Sequence, residues 1–304
     1  MAGACAQPAA KVPPPTHVVM SIPFGGAWER IGRELASEYN RRVPIVSADA
    51  VMAESLESQV DSIQAGKVDL ALEDAETAYL AFTRGTAHDG SPHARVRAIG
   101  VLFSIAVQVA VPSATGITRI DQLRGRRVDV GATGGSVERA ARIILESYGL
   151  GYDAVKPTFG GSDTRRQFKS GDLDARFFYS AFQHPTIESI SRDVDVRVLP
   201  IDRSRLGAIQ ERHHFLKSTT IPAGTYRKQT ADVQTVGMDV LLLCRQDLPD
   251  GLVYELTRAL YESVPALEKA HEAASAIDPE RGPTASIPLH PGAARYYRER
   301  EILK

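Results

Sequence analysis

An α/β fold built of two doubly wound, mostly parallel units is what this sequence predicts, and three observations carry the prediction. Short apolar runs of strand length alternate with stripes at helical spacing from Val18 onward. The strand–helix order runs once up to Leu72, and again after the polar loop GTAHDGSPHAR. The chain then crosses out of the second unit and returns, which describes a two-lobed molecule with a cleft between the lobes.

HVVMSI, starting at His17, reads as the first strand. After Gly25 and Gly26, the residues Trp28, Ile31, Leu35 and Tyr39 share one helical face. VPIVSA is a second strand. Leu56, Val60 and Ile63 line a second helix, stopped by Gly66, and Val68 to Leu72 form a third strand. In the second set, AIGVLF and AVQVAVP lead into the strand RRVDVGA. Val137, Ala140, Ala141, Ile144, Leu145 and Tyr148 then make a helical stripe ended by Gly149. DARFFYS and VRVLPI follow as strands, and LVYELTRALYESVPALEKAHEAA is a long helical region interrupted near Pro265. The expected division is a disordered tail at 1–16, lobe 1 at 17–106 plus 241–304, and lobe 2 at 107–240. One continuous sheet would count against it. No repeat at a solenoid period occurs.

The 304 residues are 43% hydrophobic and 24% charged, with a formal net charge of −1. Such a balance gives no support to nucleic-acid or membrane-surface binding, which needs a concentrated basic field. No apolar run approaches the ~18 residues that span a bilayer. Of the two cysteines, Cys244 lies in the apolar run VLLLCRQ and reads as a buried small hydrophobe, and Cys5 lies in the tail. Ala4-Cys5-Ala6 fits the small-x-small end of a truncated secretory signal, with a lipid-attachment cysteine as the rival reading. No disulfide is expected.

Two glycine-rich turns carry the binding chemistry. FGGAWERIG and GATGGSVERAA each sit where a strand passes into a helix, so backbone N–H groups at a helix N-terminus face the space between lobes. Glycine permits close approach of a ligand there. Ser136 is the expected N-cap of the second helix.

From Ile221 to Leu260 the chain reads IPAGTYRKQTADVQTVGMDVLLLCRQDLPDGLVYELTRAL, and from Ile287 to Tyr297 it reads IPLHPGAARYY. Both segments closely resemble the C-terminal half of the TAXI family, the extracytoplasmic solute receptors of TRAP-type secondary transporters. Weaker resemblance reaches back to about Val18. The resemblance implies a two-lobed fold of the type II periplasmic-binding-protein kind and a periplasmic location. It implies capture of an amino acid or dicarboxylate by lobe closure, and a TRAP-type membrane subunit as partner. A monomer without cofactor or metal is expected. Rival readings on the same architecture are a ligand-sensing domain and a cofactor-biosynthesis enzyme.

Matched position by position, the resemblance proposes Gly25, Gly26, Trp28, Asp49, Met52, Asp74, Thr133, Gly134, Gly135, Ser136 and Phe182 as ligand-binding residues. Trp28 stands at a family tyrosine position and either covers the ligand or fills the core. Asp49 replaces a family Thr, Met52 a small hydroxylated residue, and Asp74 a Gln. Two carboxylates facing an anionic solute group would be costly, since ionised carboxylates only accept hydrogen bonds. They therefore pair with Arg or Lys, face an amino or hydroxyl-rich solute end, or simply point at solvent or cap helices.

Enzymatic readings find no motif. GGSVE has Glu138 where the G-x-S-x-G elbow needs Gly, and neither a P-loop nor H-E-x-x-H occurs. The His213-His214 pair reads as exposed and His290 as packing, with no metal spacing.

Overall fold

A computed structural model describes residues 15–23, 26–160 and 163–304. The readings made for Cys5, the tail up to residue 14 and Gly25 lie outside those residues.

The first half of the fold follows the expected order. β1 (Thr16–Ile22) leads into α1 (Gly26–Arg42), β2 (Val46–Met52), α2 (Leu56–Gln64), β3 (Leu70–Asp74) and α3 (Ala75–Arg84). The Thr16 N–H donates to the Ile45 carbonyl at 2.7 Å, so the strand takes in a residue assigned to the tail. β2 runs on to Met52 because its parallel register with β1 continues to Ile22. α1 buries Ile31, Leu35 and Tyr39, the face its spacing foretold. Ser55 caps α2, accepting from the Ser58 N–H at 3.1 Å, and Gly66 follows its end with φ +72°.

AIGVLF and AVQVAVP are not two strands but one, β4 (Val96–Pro112). After it come β5 (Arg127–Asp129), α4 (Ser136–Ser147), β6 (Lys156–Thr158) and α5 (Thr164–Ser170). β7 (Ala175–Ser180), α6 (Pro185–Ser191), β8 (Val196–Leu199), α7 (Arg203–Arg212) and β9 (Lys217–Ile221) complete the excursion. β10 (Val233–Arg245) returns the chain to the first half. The C-terminal helical region is broken at Ser263 into α8 (Asp250–Glu262) and α9 (Val264–Ala270), with Pro265 in the first turn of α9. α10 (Pro291–Glu299) is capped by His290, whose Nδ1 accepts from the Gly292 N–H at 3.1 Å. His290 is fully buried, as its packing role requires.

The strands lie on one hydrogen-bonded path, β2-β1-β3-β10-β4-β7-β5-β6, with β8 on β4 and β9 on β10. Two separate sheets were expected, and that expectation is corrected: the division into 17–106 with 241–304 and 107–240 loses its support from sheet separation, and what sets the halves apart is the parting of β4 and β10. β4 has 17 residues and β10 has 13, long enough for both to serve both halves. They pair antiparallel from Val96–Arg245 to Ala106–Gly237 and then part. Beyond that point β4 bonds to β7 and β8, while β10 bonds to β9.

Alternation along the shared strands sorts the core. Leu242 and Cys244 face a cluster that includes Met20, Ile31 and Leu256, while Leu241 and Leu243 face another that includes Val60 and Ile63. A third cluster around Phe168, Phe178 and Ile190 belongs to the second half. Cys244 is fully buried, and burial pushes its thiol pKa up.

Candidate functional site

A cavity of about 480 Å³ opens where β4 and β10 part, with walls from both halves. Phe103 and Ser104 of β4 line it together with Glu272, Ala273, Ser275, Ala276 and Arg281. Phe182 and Gln183, past the end of β7, line it with Thr219, Thr220, Pro222 and Thr225.

Behind this cavity sits Asp239, buried in the middle of β10 directly opposite Ser104. The Ser104 hydroxyl donates to its Oδ1 at 2.9 Å, and Arg281 Nη2 donates to both Ser104 Oγ and Asp239 Oδ1 at 2.9 Å. Lys217 Nζ pairs with the other oxygen. Two cations therefore surround one carboxylate, and Glu272 adds a second carboxylate to the same wall, so its charges balance while Arg281 stays turned to the cavity. Arg281 keeps further N–H donors, and Thr219, Thr220 and Thr225 add hydroxyls. The site suits a polar or charged small molecule with an apolar portion against Phe103 and Phe182.

The IPAGTY segment braces the opposite wall. Tyr226 donates to Gln108 Oε1 and accepts from the His184 N–H at 2.9 Å. Gln108 Nε2 in turn reaches Ser180 Oγ at 3.2 Å and the Ala181 carbonyl at 3.3 Å. These bonds hold the turn carrying Phe182, in which Gln183 adopts φ +58°.

A second polar neighbourhood joins the two halves. Glu73 and Asp74 end β3 fully buried, and Glu76 sits in the first turn of α3. Arg139, in the first turn of α4, places Nε 3.3 Å from Glu76 Oε2 and donates from Nη1 to the Gly134 carbonyl at 2.9 Å. Burial raises the pKa of all three carboxyls. The Asp74 charge adds to the rise at Glu73, and Arg139 opposes it at Glu76. Asp74 Oδ2, Thr77 Oγ1 and Tyr179 OH are buried there without a hydrogen-bond partner. Among the described residues, no group of three or more His, Cys, Asp or Glu side chains is arranged to hold a metal ion.

The proposed ligand residues scatter over these features. Phe182 lines the cavity. Trp28 is partly buried and meets the cavity residue Phe103 edge-on, with ring centroids 6.0 Å apart. Gly26 starts α1 at φ +60° and is exposed. Asp49 is exposed and pairs with His17 at 2.8 Å. Met52 is 39% exposed, its sulfur 3.3 Å from Arg33 Nη2. Asp74 is the N-cap of α3, accepting from the Thr77 N–H at 2.6 Å. Thr133 and Gly134 are exposed in the turn before α4. Ser136 is not the cap; Gly135 is extended at φ −78°, ψ 165° and its carbonyl accepts from the Arg139 N–H, which makes Ser136 the first helical residue. His213 caps the end of α7, half-buried against Phe215, while His214 is exposed.

Asp239, Lys217, Arg281 and Arg139 were missed. Only Asp239 had a local signal, a carboxylate inside the otherwise apolar run VGMDVLLLC. The cations come from distant segments that only the fold brings together.

The described geometry defines the α/β class with two lobes joined by shared strands around a cleft, and solved structures share it. The methylphosphonate complex of PhnD1 from Prochlorococcus marinus aligns over 94% of this chain and 96% of its own, at 12% identity and a TM-score of 0.55. XAC2383 from Xanthomonas citri, bound to ATP, aligns over 95% and 99%, at 14% identity and 0.53. The periplasmic aliphatic sulphonate binding protein SsuA from Escherichia coli aligns over 95% and 89%, at 15% identity and 0.51. At such identities the likeness establishes the fold. The chain belongs to the NMT1-like family, which it matches over residues 22–300.

Proposed function

We propose that this protein is the extracytoplasmic solute-binding receptor of a TRAP-type transporter of the TAXI kind. Its lobes, 17–106 with 241–304 and 107–240, close on one small solute and then present it to a membrane subunit. The observation that carries this reading is the cavity of about 480 Å³ with walls from both halves. That volume is in the range of small-molecule sites. The resemblance of the IPAGTY and IPLHPGA segments supports the same reading. So does the absence, among the described residues, of any helix long and apolar enough to cross a membrane.

Arg281 and the threonine hydroxyls suit a carboxylate on the solute, in keeping with the amino acid or dicarboxylate class. Asp74 does not line this cavity; it is fully buried as the N-cap of α3. A thermal-shift screen over amino acids, dicarboxylates and polyamines tests the proposal. A solute at 100 times its Kd should add about 2.7 kcal/mol of stability. Loss of that shift in Arg281→Ala would fix the cavity as the site, and an unaltered shift would remove it.

A further inference from the structure

We propose that the Arg139–Glu76 pair sets the open–closed equilibrium of the empty receptor, acting as a latch between lobes. The inference rests on the reading of the two halves as closing lobes. Arg139 stands in the first turn of α4 and Glu76 in the first turn of α3, so this ion pair of 3.3 Å joins helices of opposite halves, away from the Arg281–Asp239 pair at the shared strands. Their side chains are only 22% and 6% exposed, which leaves little solvent to screen the attraction. The Gly134 carbonyl fixes the guanidinium by accepting from Nη1 at 2.9 Å, so the group is aimed before the lobes meet.

The seam that this pair closes is not otherwise self-sufficient. Glu73 and Asp74 lie buried beside Glu76, so three carboxyls share the neighbourhood of one guanidinium. Asp74 Oδ2, Thr77 Oγ1 and Tyr179 OH have no partner while the Arg139–Glu76 pair is made, and separating the seam would return each of them to water. Closure without solute is thus a close balance, with unpaired polar groups favouring the open form and the charge pair favouring the closed one. A device of this kind tunes affinity without touching the solute. The apparent Kd depends on how much of the competent form is already populated. Arg139 and Glu76 are therefore positioning residues.

The test reads the shape of the solute-free protein by small-angle X-ray scattering. Arg139→Gln should enlarge the radius of gyration relative to wild type, and Glu76→Gln should move it in the same direction. Arg139→Lys, which keeps the charge, should restore part of the compaction. Far-ultraviolet circular dichroism establishes that each variant is folded, and agreement between the two Gln variants guards against a local defect in either helix. With a solute from the screen, apparent affinity in Arg139→Gln should fall roughly 5- to 150-fold, the span of ordinary coupling energies. Unchanged dimensions in both Gln variants overturn the latch. If solute still compacts those variants, the receptor reading stands alone. If solute compacts neither variant nor wild type, both fall together.

Discussion

His184 shows how one buried side chain ties the cavity wall to pH. Burial and then the neighbouring Arg176 charge lower its pKa from 6.5 to about 4. Its Nδ1 accepts from the Thr186 N–H at 3.1 Å to cap α6, a bond that only the unprotonated nitrogen can make. Because the folded pKa is depressed, its stabilising contribution is complete above pH 6.5 and is lost as pH falls toward 4. Over that window the loss approaches about 3 kcal/mol. Glu73 and Asp74 act in the opposite sense. Their raised pKa values make the folded state weaker as pH rises above the ordinary carboxylate range. The two effects are separated by urea unfolding of wild type and His184→Asn across pH 4 to 7. The variant, which keeps a capping oxygen, should lose the His184 slope, and parallel curves would refute the assignment.

Glycine positions distinguish elements that touch from elements that do not. Gly237 occupies the point where β10 leaves β4. A Cβ there would collide with the Ile105 carbonyl oxygen and lie 2.8 Å from Thr219 Oγ1. Gly237→Val should therefore destabilise the protein by about 1–3 kcal/mol, the usual cost of overpacking. Gly207 lies exposed within α7 with nothing near an added Cβ, so Gly207→Ala should stabilise by about 0.4–1 kcal/mol. Chemical denaturation of the pair checks both signs. The same contrast explains what was legible. α1, α2 and α4 announce themselves by apolar stripes, and α2 and α4 also by glycine stops, since each packs a broad face on the sheet. α7 buries only Leu206 and Ile209 and carries no such pattern. β4 read as two strands because Ser104 breaks its apolar run, yet Ser104 is the residue that bonds Asp239.

At the scale of the whole molecule, closure should be visible from the one tryptophan in the chain. Trp28 meets Phe103, a wall of the cavity, so any solute that raises the melting temperature should change Trp28 emission with the same half-saturation. Emission that stays constant through saturation would place closure elsewhere. The sequence by itself determined the α/β class, most strand and helix positions and the buried role of Cys244, because hydrophobic period and glycine punctuation are local. The contiguous segments IPAGTY and IPLHPGA pointed to the TAXI family, whereas the family the chain is shown to belong to is the NMT1-like one. Tertiary structure alone decided which charges meet. Asp49 went to the surface, Asp74 to a helix cap, and Arg281, Lys217 and Asp239 gathered from three separate segments. Charge pairing across such distances depends on register and crossing of β4 and β10, and no local pattern encodes it.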